Sequence, residues 1–181
     1  MNINTEVDLA GLHATITAAI AERFPSLATV EFYREDREEL PVPACILDLC
    51  EFEGEPSVDP GTGQLAVMAR FEAELIIGFR TPEAKMSLRL LAGAFAAFLH
   101  KKRWPGGLTS EAEQIHAYKD DFKPALDQYE VWCVEWRQII HLGESVWSGE
   151  GVTPTTIMLG FAPEVGFGHE DDYIQIAPEA A

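Results

Sequence analysis

The residues able to do chemistry here are five histidines (His13, His100, His116, His141, His169), three cysteines (Cys45, Cys50, Cys133) and a large excess of carboxylates. No two histidines share a metal-ligand spacing, and the cysteines form no C-x-x-C pair. His169 alone stands beside acids, in the run His169-Glu170-Asp171-Asp172. A divalent cation takes such groups, but the run lacks the spacing of an EF-hand loop and reads as solvated charge. Glu72 and Glu135 interrupt apolar strand patterns, as an acid–base pair would. Arg70 and Arg137, two positions from each, are the simpler partners. Cys133 and His141 would sit about 26 Å apart along one extended strand, too far for a nucleophile and its base. The sequence contains no G-x-S-x-G, Walker loop or dinucleotide fingerprint, and Gly61-Thr62-Gly63 reads as a hairpin turn. No catalytic, cofactor-binding or metal-ligating residue is therefore expected.

The elements that would position these residues follow from periodicity. Leu9, Leu12, Ile16, Ile20 and Phe24 recur at threes and fours, which predicts a helix over 6–24 with Thr5 as its cap. Short strands are expected at 28–34 and 44–53, the second apolar on both faces and so inside a sheet. From 64 to 80, Leu65, Val67, Ala69, Phe71, Ala73, Leu75, Ile77 and Phe79 alternate with residues that include Arg70, Glu72 and Glu74. That is period two with one wet face. A strand so much longer than the usual five or so residues, paired with its predecessor, makes a long hairpin. Its free edge is expected to be covered by a neighbouring subunit.

Thr81-Pro82-Glu83 opens a second helix, with Met86, Leu90, Leu91, Ala94, Phe95 and Phe98 expected to face inward. Lys101-Lys102-Arg103 close it, where cations suit the helix dipole. Strands follow at 114–119 and 129–141, the latter with Trp132, Val134, Trp136 and Ile140 on one face. Cys45 and Cys133 fall inside strand patterns and read as buried, reduced thiols.

After residue 143 periodicity fades and glycines and prolines multiply, yet Trp147, Phe161, Phe167 and Tyr173 persist. Disordered tails lack such residues, so the segment is expected to lie against something, either the parent domain or an adjacent subunit. The expected fold is α+β: one mostly antiparallel or mixed sheet of about five strands packed by two helices, in the order α-β-β-β-α-β-β. It occupies 1–143, with an extended C-terminal arm at 144–181 that is not an independent domain.

A formal net charge of -17 over 181 residues excludes a nucleic-acid-gripping surface. An acidic wall past which DNA slides remains compatible with it. No apolar run reaches membrane-spanning length, and the first residues carry no basic, apolar leader. Cytoplasmic synthesis, or carriage in a particle assembled there, is the expectation.

Three stretches carry a resemblance. Asp59-Pro60-Gly61-Thr62-Gly63-Gln64-Leu65 leads into the long alternating strand. Tyr129-Glu130-Val131-Trp132-Cys133-Val134-Glu135-Trp136 is followed by Leu142-Gly143-Glu144. Met158-Leu159-Gly160-Phe161-Ala162-Pro163-Glu164-Val165-Gly166 precedes His169 and Asp172-Tyr173. Together they resemble small tail proteins of Mu-like and other long-tailed phages, and the element order resembles the tail-terminator fold.

The resemblance implies a structural virion protein without catalytic residues or cofactors. It implies a homohexameric ring at the head-proximal end of the tail, assembled in the host cytoplasm. Its partners would be itself, the tail tube protein and a head–tail connector or neck protein, with DNA passing the channel without specific binding and no membrane involved. Another neck, head-completion or tube ring protein is the nearest alternative. A small ligand-binding domain or enzyme with an unrecognised pocket is the alternative of another class, and a DNA-mimicking regulator a third. The candidate subunit contacts are Met68, Arg70, Glu72 and Glu74 on the long strand, and Trp147, Phe161, Phe167 and Tyr173 on the arm.

Overall fold

A computed structural model of the chain describes residues 8–34, 40–104, 109–119, 129–146 and 156–176. The chain divides into two compact units, Met1–Val146 and Trp147–Ala181, three residues later than the expected boundary.

In the first unit, α1 (Leu9–Arg23) precedes β1 (Thr29–Phe32), β2 (Ala44–Gly54), β3 (Leu65–Gly78), α2 (Ala84–Leu99), β4 (Glu113–Lys119) and β5 (Tyr129–Leu142). The expected α+β class and element order hold. The sheet is mixed, in the order β1-β2-β3-β5-β4, with β1 parallel to β2 and the remaining pairs antiparallel. Both helices pack on one face. Leu12, Ile16 and Ile20 of α1 and Leu88, Ala92, Phe95 and Leu99 of α2 share one core with Val67, Phe71, Leu75 and Trp136. Rings stack through this layer, with Phe71 on Trp136 at 5.3 Å between centroids and Phe24 on Phe95 at 5.6 Å. Cys45 and Cys133 are buried thiols outside any disulfide, as expected.

Three expectations change. The first concerns β3. It does form a long hairpin with β2, but its other side is paired by β5 from Leu65↔Leu142 to Gly78↔Tyr129. β3 is therefore the central strand and has no edge for a neighbour to cover; β1 and β4 are the edge strands. Its length is absorbed by β5, which has the same 14 residues. Phe79 lies beyond the strand and is exposed.

The second concerns α2, which starts at Ala84 after a turn in which Thr81 and Pro82 precede Glu83, a cap residue in the left-handed region at φ 52°. This start fixes a different helical phase. Ala84, Leu88, Ala92, Phe95 and Leu99 are buried, whereas Met86, Leu90 and Ala94, expected inside, are exposed. Spacing by threes and fours fits either phase. Phe95 belongs to both readings; the wholly buried Leu88 and Leu99 mark the phase the helix takes.

The third concerns the start of α1. The Thr5 cap lies outside the described residues, and Asp8 caps the helix instead, its Oδ1 accepting from the Gly11 amide at 2.8 Å.

A buried glutamine joins α2 to the sheet. Gln138 lies on the core face of β5 with no exposure. Its Oε1 accepts from the indole Nε1 of Trp104 at 2.6 Å and of Trp136 at 3.0 Å. Its Nε2 lies within hydrogen-bonding distance of the carbonyls of Lys102 and Ser110 and of Thr109 Oγ1. A buried amide satisfied on both sides fixes the segment after α2 against β5.

Candidate assembly interface

The face of the sheet away from the helices is the first candidate surface. Cross-strand register brings acids together there. Asp48 of β2 lies opposite Glu72 of β3, Glu72 opposite Glu135 of β5, and Glu135 opposite His116 of β4. Three carboxylates in one row repel one another unless cations intervene. Arg70 supplies that cation. Its Nε meets Glu51 at 3.0 Å, and its Nη1 stands 3.8 Å from Glu135 and 4.0 Å from Glu72. Arg137 reaches Glu53 at 3.6 Å. The expectation that arginines partner Glu72 and Glu135 is met by Arg70; Arg137 turns to the β2 side.

The field of this face is negative, and neighbouring acidic protons respond to it. Burial, then the Glu72 and Asp48 charges, push the Cys50 thiol up to about 11. A hydrogen bond with Cys133, burial and the charges of Cys133, Glu72 and Glu135 raise the Tyr118 phenol. Burial, Asp48 and Cys50 raise Tyr33. Burial for Cys50 and Tyr33, and the hydrogen bond for Tyr118, weigh most, and the facing anions add to each. At one end the same face turns apolar, where Leu40 and Val42 cover Ala44, Ile46, Ile76 and Val131.

The second candidate surface is the C-terminal unit. Its described part, residues 156–176, is a small hairpin rather than a wholly irregular arm. β6 (Met158–Leu159) pairs antiparallel with β7 (Ile174–Gln175), and a single 3-10 turn (Glu170–Asp172) lies between them. Tyr173 braces it. Its hydroxyl accepts from the Gly166 amide at 2.8 Å, and its ring lies so close to Gly160 that a Cβ there would stand 2.8 Å from it. His169 Nδ1 meets Asp172 Oδ2 at 2.9 Å, so the one histidine flanked by acids serves a turn.

No residue of 156–176 is buried. Met158, Leu159, Phe161, Ile174 and Ile176 are exposed, and Phe167, between two glycines at positive φ, is 103% exposed. Met158, Gly166, Phe167, Glu170 and Tyr173 line an open, mostly apolar dish.

The sequence-derived candidates thus fall into two groups in separate units. Met68, Arg70, Glu72 and Glu74 share the helix-free face of the sheet, reached across the face of β3 and not along its edge. Glu74 is buried and the other three are half-buried. Phe161 and Phe167 are exposed, Phe167 wholly so, Tyr173 is half-buried and committed to its own turn, and Trp147 lies outside the described residues. The exposed face of α2, with Met86 and Leu90, is a further surface that the apolar pattern alone places in the core.

No group of His, Cys, Asp and Glu suited to a metal ion occurs among the described residues. No helix among them is long and apolar enough to cross a membrane. No protein-family model matches the sequence, and no curated protein matches it.

Proposed function

We propose that this chain is a structural subunit of a phage tail, a terminator that closes into a ring at the head-proximal end of the tail tube. The observation that carries the proposal is the C-terminal unit. A segment of 21 described residues (156–176) exposes nearly all its apolar side chains and has no buried residue of its own. Apolar surface in that concentration marks a contact with another chain. The same segment contains the Met158–Gly166 stretch of the resemblance to phage tail proteins.

The first unit supports the reading in two ways. It is well packed without the neighbour that the long strand had called for, so it can serve as a rigid ring wedge. Its open face combines Asp48, Glu51, Glu53, Glu72 and Glu135 with Arg70 and Arg137, so acids outnumber these arginines. Such a face repels phosphate, which suits the wall of a conduit that DNA must traverse without sticking.

Purified protein mixed with tail tubes that lack their upper end tests the proposal by negative-stain imaging. A terminator caps each tube with one ring and stops further growth. A tube protein polymerises alone into cylinders. A chain that leaves the tubes uncapped is no terminator.

A further inference from the structure

The contact surface of the C-terminal unit has a counterpart elsewhere on the chain. No Lys or Arg follows Arg137, and residues 156–176 carry Glu164, Glu170, Asp171 and Asp172. That unit is both apolar and purely acidic. A chain of net charge -17 that associates with itself must overcome its own repulsion, so its rare basic surface is where a second copy is favoured.

That surface is α2 with its C-terminal extension. Lys85, Arg89, Lys101, Lys102 and Arg103 are five of the chain's 13 Lys and Arg, and no Asp or Glu lies between 84 and 103. Two of these cations are met by carboxylates, Lys85 by Glu130 of β5 at 3.8 Å and Arg103 by Glu111, just before β4, at 3.3 Å. The stretch stays positive after both are subtracted.

The same helix offers apolar surface. Met86, Leu90, Gly93 and Ala97 are spaced four, three and four, which places them on one outward stripe. All four are exposed, Leu90 at 67%. A Cβ built on Gly93 would meet nothing within 4 Å, so the stripe has an open notch between Leu90 and Ala97.

We infer that the outer face of α2 receives the C-terminal unit of a second copy of this chain, with Phe167 and its neighbours on the Met86–Ala97 stripe and the Glu170–Asp172 acids against the basic end of the helix. The inference rests on the reading of the chain as a self-assembling subunit, and it assigns that assembly a donor and an acceptor surface. A donor on one face and an acceptor on another make a head-to-tail contact, the kind that closes into rings.

Full-length chain carrying a photo-crosslinking benzophenone in place of Leu90 tests this directly. Equal amounts of normal and heavy-isotope chain are mixed, irradiated and digested, and the cross-linked peptides are weighed. Light–heavy pairs joining position 90 to residues 156–176 are expected. Same-isotope pairs only would mean that the unit packs on its own chain and would overturn the inference. Cross-links to other residues, in a sample that light scattering shows to be oligomeric, would keep the assembly reading and remove this acceptor. No cross-links in a strict monomer would remove both. As an independent measure, Lys101→Glu with Arg103→Glu, at the basic end of the helix, should weaken association about tenfold or more, and adding Glu170→Lys with Asp171→Lys should recover much of the loss. Unchanged association in the charge-reversed chain would also overturn the inference.

Discussion

The two units of this chain treat their apolar residues in opposite ways. In the first, Phe71, Leu75, Phe95 and Trp136 are wholly buried, and even the polar Gln138 is buried with its amide satisfied on both sides. In the second, Phe161, Phe167, Ile174 and Ile176 all stand in the open. A five-stranded sheet with two helices encloses enough volume to complete its own core, whereas a two-stranded hairpin cannot. Under the proposed function, stability belongs to the first unit and association to the second, so each should be open to perturbation without the other.

Substitutions sharpen that comparison. Phe71→Asp places an unpaired charge against Trp136 and should cost more than about 4 kcal/mol, abolishing the cooperative unfolding transition in denaturant. Native-like stability would mean that the helix-covered face of β3 has been misassigned. Gln138→Leu leaves the Trp104 and Trp136 indoles without their acceptor, and a loss of about 2–4 kcal/mol is expected from urea melts.

His13 is a smaller case. It stacks on Phe32 at 4.0 Å, and burial lowers its pKa below the ordinary 6.5. The unfolded chain therefore binds the proton more readily than the folded one. The stability this neutral ring confers is present above pH 6.5 and declines as pH falls below it. His13→Gln should flatten that portion of the stability–pH curve. Phe167→Ser should change unfolding by no more than about 0.5 kcal/mol, since its ring touches nothing that folding depends on, while reducing the mass of the assembled species.

Much of the fold could be read from the chain. The stripe from Leu12 to Phe24 and the alternation from Val67 to Ile77 each report one face of one element, and those faces are the ones buried. The lateral order of strands is a different kind of information. Alternation says which side of β3 is wet but not which strand lies beside it, so the β5 partner that closes its edge was not anticipated. Helix phase failed at α2 for a related reason: apolar residues occur all round it, and only contact with the sheet distinguishes Phe95 from Leu90. Gln138 was invisible because a polar residue in a strand reads as solvent-facing, although it shares the face of Trp136. Of the interface candidates, Phe161 and Phe167 were legible as aromatics without periodicity. The acidic row Asp48–Glu72–Glu135 was not legible as a row, because it exists only through register.

The central claim is that the C-terminal unit exists to be covered by another chain. The solution mass of the full chain and of a chain ending at Val146, measured by light scattering over a concentration series, tests it most directly. The full chain should form closed oligomers of one size, and the shortened chain should stay folded, by its circular dichroism and urea transition, yet run as a monomer. A shortened chain that assembles equally well, or a full chain that remains monomeric at every concentration, would contradict the account.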